Sequence, residues 1–202
     1  MSKPPAFVST LETERLTMRR ATLSDLPFLV ELHQDPQVTR YLGGDGSTRS
    51  PEESFDWLQK TMRWYVADRV GQFVVELEGH PIGRAGLGLF EIEREPSRED
   101  GAYVASWGRG SFPHDRPARS ILEVGYTFRR SAWGNGYATE AARAWYAYAL
   151  GEYGAEEVHS MIHADNVGSR RVAEKNGLER TLVVHLEGRP YALFSRSKAS
   201  KS

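Results

Sequence analysis

The sequence predicts a sheet protein of the α/β (α+β) class, and three observations carry that prediction. Segments that alternate apolar and polar residues are interleaved with segments of helical spacing, in the order β-α-α-α-β-β-β-α-β-α-β-β. No segment repeats another, which excludes solenoids and propellers. A length of 202 residues, 40% hydrophobic and 26% charged, suffices for one well-buried core and is short for two. A single domain over 1–202 is expected, folded over about 10–196 with a frayed tail at 197–202.

The elements follow in order. RLTMRRAT (Arg15 to Thr22) alternates as a strand does, and SDLPFLVELHQ then changes to helical spacing. SPEESFDWLQKTMRWYVAD opens with Ser50 as N-cap, Pro51 at the first helical position and Glu53 completing a capping box. Phe55, Leu58, Met62, Tyr65 and Val66 then form one apolar stripe, read as core. QFVVELEGHPIGRAGLGLF reads as two strands joined by a tight turn at Glu78 to Pro81. Glu91 to Ser120 is rich in Gly, Pro, Ser and charge, and a loop of that length within a domain is either functional or disordered. Tyr103, Trp107 and Phe112 give it apolar anchors, so a lid over a substrate site, a mobile insertion and an extra strand at GAYVASW all stay open. EVGYTF is a strand, and the chain then turns through Gly134 and Gly136 into an alanine-rich helix. EEVHSMIH reads as a strand, NVGSRRVAEKNG as a short helix closed by Gly177, and TLVVHLEGRPYALFS as a hairpin.

Composition narrows the function. Lys plus Arg (26) balance Asp plus Glu (27), so no global field draws the chain to nucleic acid or to a membrane. With no cysteine there is no disulfide, thiolate metal site or thiol nucleophile. MSKPPAFVSTLETERL interrupts any signal-like apolar run with prolines and charges, and Ala144 to Leu150 falls far short of the ~20 residues of a bilayer span. A cytoplasmic protein is expected. The histidines do not form a ligand set, since HSMIH lies on a strand, and no metal is expected. Five tryptophans leave room for a homodimer.

The glycine turn carries the chemistry. A strand ending at Phe128 and a helix opening near Ala138 aim several unpaired N–H groups at one point, which attracts anions and phosphates above all. A P-loop is excluded because Tyr137 and Ala138 follow Gly136 in place of Lys-Ser/Thr. A dinucleotide fingerprint would put Thr139 at its third position and leave five upstream elements unexplained. WGNGYA fits the pattern Q/R-x-x-G-x-G/A, with Trp133 first, Gly136 central and Ala138 last.

The run EVGY…WGNGYATEA followed by NVGSRRVAEKNGL resembles the GNAT acyl-CoA N-acyltransferases, most of all their ribosomal-protein N-terminal acetyltransferase (RimJ/RimL-like) branch. TERLTMRRATLSDLPFLVELHQDPQVTRYLGG is similar to the same branch, so the resemblance covers most of the chain except Glu91 to Ser120. It implies a mixed, largely antiparallel GNAT-type sheet with helices on both faces, splayed between the fourth strand (EVGYTF) and the fifth (EEVHSMIH). It also implies acetyl-CoA as cofactor. The pyrophosphate would rest on the turn of Trp133, Gly134, Asn135, Gly136, Tyr137, Ala138 and Thr139, and pantetheine would pair as a pseudo-strand with Tyr126, Thr127 and Phe128. Trp133 replaces the usual basic or amide residue, Asn135 sits where a lysine or arginine is frequent, and Arg129 and Arg130 either supply that charge or form a solvated pair.

By the same resemblance the reaction is direct attack of a primary amine on the thioester in a ternary complex. Glu123 is the first choice of general base, with an ion-pair role as the alternative, and His159 and His163 are further candidates. Ala173 occupies the place of the tyrosine that many relatives use as acid. The role then passes to Ser169, with Asn166 holding the cofactor, although both residues also suit plain capping. The favoured acceptor is a protein or peptide N-terminus, with a small-molecule amine as the alternative, and a non-catalytic acyl-CoA sensor is the remaining reading.

Overall fold

The computed structural model describes residues 8–43, 45–94, 103–108, 112 and 118–198. Its strands are β1 (Thr10–Glu12), β2 (Leu16–Arg20), β3 (Gly71–Leu77), β4 (His80–Arg94), β5 (Tyr103–Trp107), β6 (Arg119–Phe128), β7 (Glu157–His163), β8 (Glu179–Leu186) and β9 (Arg189–Ser197). They form one sheet in the order β1-β2-β3-β4-β5-β8-β9-β7-β6, with β4 also paired to β6. Among the described residues only β5–β8 and β6–β7 are parallel. The expected mixed, largely antiparallel sheet is what forms. β1 is unforeseen, and β5 realises the extra strand left open at GAYVASW.

The hairpins follow from their turns. Glu78 (φ 51°) and Gly79 (φ 78°) join β3 to β4, and Glu187 (φ 51°) and Gly188 (φ 79°) join β8 to β9. Two central residues with positive φ match the right-handed twist of the strands they link. The helices are α1 (Leu26–Gln34), α2 (Pro36–Thr39), α3 (Pro51–Ala67), α4 (Tyr137–Leu150) and α5 (Val167–Lys175). Ser50 caps α3 with the full capping box, its hydroxyl accepting from the Glu53 N–H.

Alternation along β3 divides the helices between the two faces. Phe73 and Val75 pack with Trp145 and Ala141 of α4, while Val74 turns to Leu29 and Leu32 of α1 and Leu58 of α3. The expected stripe on α3 holds at Leu58 and Tyr65, but Val66 is 82% exposed. At about 100° per residue Val66 lies about 80° round the helix from Leu58, off the buried face.

Expecting a loop over 91–120 does not hold for its described residues. β4 runs on to Arg94, β5 pairs with it from Phe90↔Trp107 to Arg94↔Tyr103, and β6 begins at Arg119. The charged composition hid an ordinary strand alternation, in which Ile92 and Ala105 are buried partners. The rest of that segment, and the tail from 199, lie outside the described residues.

β5 has a larger consequence. It pairs on one side with β4 and on the other, in parallel, with β8 through Tyr103↔Val184 to Ala105↔Leu186. The strands β4, β5, β8, β9, β7 and β6 thereby close on themselves. Each contributes to the core inside, among them Phe90, Ala105, Ile121, Met161, Val184 and Leu193.

Candidate active site

β6 and β7 share a single pairing, Glu123↔His159, and beyond it the two strands part. Side chains hold the split open. The Met161 N–H donates to Glu123 Oε1 at 3.3 Å, and Ser160 Oγ donates to the Val124 carbonyl at 2.7 Å while also bonding the Tyr146 hydroxyl. Backbone groups that would have paired across the gap are satisfied locally, so the splay costs no buried unpaired partner at these positions.

At the mouth of the split lies the glycine turn. Gly134 (φ 79°) and Gly136 (φ 84°) take the left-handed conformation that residues with a Cβ resist, and Gly136 is the N-cap of α4. Among the described residues no protein acceptor meets the N–H groups of Gly134, Asn135, Gly136, Tyr137, Ala138 or Thr139; the first helical bond is Glu140 N–H to the Gly136 carbonyl. A Cβ built on Gly134 meets nothing within 4 Å, so the cradle is open.

Trp133 braces this turn, its indole donating to the Phe128 carbonyl at 2.8 Å. Arg129 reaches Glu31 (3.3 Å) and Arg130 reaches Asp35 (2.7 Å), so both have carboxylate partners. A different cation stands at the turn. Arg15 bonds the Asn135 carbonyl (3.1 Å) and Glu140 (2.6 Å), and lies 4.6 Å over the Tyr137 ring. Its 120-residue separation from Asn135 hid it from sequence reasoning.

Beside the split is a cavity of about 210 Å³. Its floor is β4 and β6, where Gly88 and Gly125 leave the Glu123 carboxylate uncovered; a Cβ at either would sit 3.4 Å or more from Glu123 Oε2. One wall is the flank of α3 that carries Trp57, Lys60, Thr61 and Trp64, at i, i+3, i+4 and i+7. That spacing is visible in the sequence, but the neighbouring apolar stripe drew attention away from it. Trp107 at the end of β5 closes the wall, its ring tilted against Phe90 with centroids 4.0 Å apart. Tyr126, Thr127, His163, Asn166 and Ser169 line the opposite side, so Glu123, Tyr126, Thr127, Asn166 and Ser169 of the expected site share one cavity, while Phe128, Arg129, Arg130 and the turn from Trp133 to Thr139 do not line it.

Glu123 is 8% exposed, and burial pushes its carboxyl up to about 7 against the pull of the Met161 N–H and the Arg84 charge. His163 lines the cavity, stacked on Tyr41. His159 does not, and is held by the Leu122 carbonyl and by Glu157 in a structural role. Asn166 caps α5 by accepting from the Ser169 N–H at 3.0 Å. The Tyr126 hydroxyl donates to the Ser169 carbonyl at 3.2 Å, and burial raises its phenol well above the ordinary range. Ala173 is buried against α4, so no side chain reaches the cavity from that position.

Sequence reasoning missed a further pair, Arg84 and Arg49. Arg84 is 7% exposed and lies 4.5 Å over the Trp57 ring; its Nη1 donates to Gln72 Oε1 at 3.1 Å and its Nε has no partner. Burial, followed by the charge of Arg49, lowers its pKa to about 9, which leaves it protonated at neutral pH. Buried Nη1 of Arg49 is likewise unpartnered. His33, packed edge-on to Trp57, is held neutral, its pKa pushed down to about 2 by burial, Arg84 and Arg49.

A largely antiparallel sheet that parts between two parallel neighbours, with a helix N-terminus at the opening, is the frame of a GNAT-class acyltransferase. Doubly wound dinucleotide folds have a mostly parallel sheet, so that alternative is set aside. Residues 15–179 match the acetyltransferase (GNAT) domain, and the chain belongs to that family. Bacillus subtilis YkkB, an uncharacterised protein, is 29% identical over 199 residues, covering 92% of this chain and 94% of that one. Two solved structures share the fold. Mycobacterium smegmatis RimJ in complex with CoA-disulfide has a TM-score of 0.72 at 15% identity, over 96% of this chain and 90% of that one. AAC(6')-Ib in complex with ribostamycin and coenzyme A has a TM-score of 0.66 at 18% identity, over 94% and 99%.

Proposed function

We propose that the protein is an acetyl-CoA-dependent N-acetyltransferase acting on a primary amine. The observation that carries this is the buried Glu123 carboxyl, poised near neutrality at the point where β6 leaves β7 and facing the cavity beside the split. Acetyl-CoA supplies an acetyl thioester, whose C–S bond breaks as a C–N bond to the amine forms, giving an amide and, after protonation of the sulfur, free thiol.

The chain's own groups fit that chemistry. The uncommitted N–H groups of Gly134 to Thr139 and the N-terminus of α4 suit a pyrophosphate, and Arg15 adds a fixed cation beside them. Glu123, directly or through water, takes a proton from the attacking nitrogen; with its pKa near 7 it is an effective base at neutral pH. Ser169 Oγ and the Tyr126 hydroxyl stand on the cavity side of α5 and β6, where a proton for the leaving sulfur is needed. The absence of cysteine supports direct transfer over a thiol-bound acyl enzyme.

Likeness to RimL, a ribosomal L7/L12 alpha-N-protein acetyltransferase, supports a protein N-terminus as acceptor. The small, walled cavity supports a small-molecule amine instead, and that is the acceptor we favour. Calorimetric titration with acetyl-CoA, with NADH as control, tests the proposal. Micromolar acetyl-CoA binding alone, followed by amine-dependent thiol release, is the expected result; binding of NADH or of neither would sink it.

A further inference from the structure

We propose that the acceptor carries an anionic group, a carboxylate in the simplest case, which docks between Arg84 and Arg49 while its apolar body lies against the tryptophans of the cavity wall. The inference rests on the proposed acetyl transfer and names the substrate class of that site.

The charges lining the cavity do not balance. Arg49, Arg84 and Lys60 face a single carboxylate, that of Glu123. Neither Arg84 nor Arg49 forms an ion pair within 4.0 Å among the described residues, and a buried nitrogen of each has no hydrogen-bond partner. Arg49 feels Glu53 and Glu187 at longer range, but neither lines the cavity. Arg84, its proton affinity lowered by burial and by the charge of Arg49 in a site dry enough to keep His33 neutral, lacks an ion-pair partner, as does Arg49. A planar carboxylate matches the fork of an arginine and satisfies its unpaired N–H groups.

Aromatic surface defines the rest of the ligand. Trp57 lies under Arg84, while Trp64 and Trp107 stack at 6.3 Å with Lys60 Nζ within 5.1 and 5.8 Å of their rings. Gly88 and Gly125 open the floor beneath them, beside Glu123. A small amine with one anionic end and an apolar body fills that space with its nitrogen toward Glu123. A polycation meets repulsion from three sides.

Calorimetry on the full chain saturated with coenzyme A tests this, because the phosphate cradle is then filled. The probes are acetate, phenylacetate and 3-phenylpropionate, each set against the alcohol with a hydroxymethyl group in place of its carboxylate. We expect at least one carboxylate to bind about tenfold or more tightly than its alcohol. Arg84→Met should erase that preference while leaving acetyl-CoA affinity within about twofold, since an apolar side chain of similar length is tolerated at a buried cation site. No preference for any carboxylate, or a preference retained in Arg84→Met, overturns the inference. The acetyl-CoA titration itself separates the two failures: if the cofactor does not bind, the acetyltransferase reading falls, and the carboxylate comparison repeated on the unloaded chain still judges the anion site.

Discussion

Replacing Glu123 with glutamine should raise stability and abolish turnover together. The buried carboxyl holds its proton up to about pH 7 against an ordinary value of 4.5. Between those values the folded chain keeps a proton that the unfolded chain releases, so rising pH favours unfolding across this window and the penalty is complete above it. The difference of about 2.5 pH units corresponds to about 3 kcal/mol. Glutamine is neutral, of the same size, and keeps an oxygen for the Met161 N–H. At about pH 8 the variant should therefore melt roughly 5–10 °C above the wild type without cofactor, and at about pH 4 the two should coincide. In thiol-release assays wild-type kcat/KM should rise with a limb near pH 7, and the variant should lose both the limb and about 10²–10⁴ of rate. Equal melting temperatures at pH 8, or a gap unchanged at pH 4, would refute the desolvated carboxyl on which the mechanism stands.

The remaining predictions concern the turn, the floor and the α5 cap. Gly136→Trp forces a side chain into the cradle at a φ of 84° and should weaken acetyl-CoA about 100-fold by calorimetry, with circular dichroism unchanged. Gly125→Leu has room for its Cβ but fills the cavity floor; acceptor kcat/KM should drop about 100-fold while acetyl-CoA affinity stays within about twofold. Asn166→Ala removes the cap of α5 and should cost about 1 kcal/mol, or roughly 2–4 °C in melting temperature. Ser169→Ala keeps that cap, because Asn166 bonds the Ser169 backbone, so only its turnover should fall, measured as thiol release.

Local signals were readable in the chain. The capping box at Ser50, the positive-φ turns at Glu78 and Glu187, and the paired glycines before α4 each act within a few residues, so periodicity and turn chemistry reveal them. The same holds for Glu123 and Asn166, which local motifs place on the split strand and at a helix start. What escaped depends on residues far apart. At GAYVASW the sequence leaves a lid, an insertion and a strand open, and the strand is decided by β4 and β8, which receive it on its two sides. Arg15 matters through Asn135, 120 residues away, and Arg84 and Arg49 become a pair only when α3 folds over β4. Val66 fits the helical period and still faces solvent, since period alone does not say how wide the buried stripe is.

The circuit of six strands also sets a timetable for assembly. Its seams join residues 103–105 to 184–186 and 157–163 to 191–197, contacts that span long stretches of chain and are slow to find. A nascent chain that has already made β6, the glycine turn and α4 still lacks β7 and β9, so nothing yet sets the far bank of the split. Competence arrives only when the β8–β9 hairpin docks. Until then the chain exposes Ile121 and Phe90, apolar residues destined for the interior of the circuit, and that is the interval in which it needs protection from its neighbours.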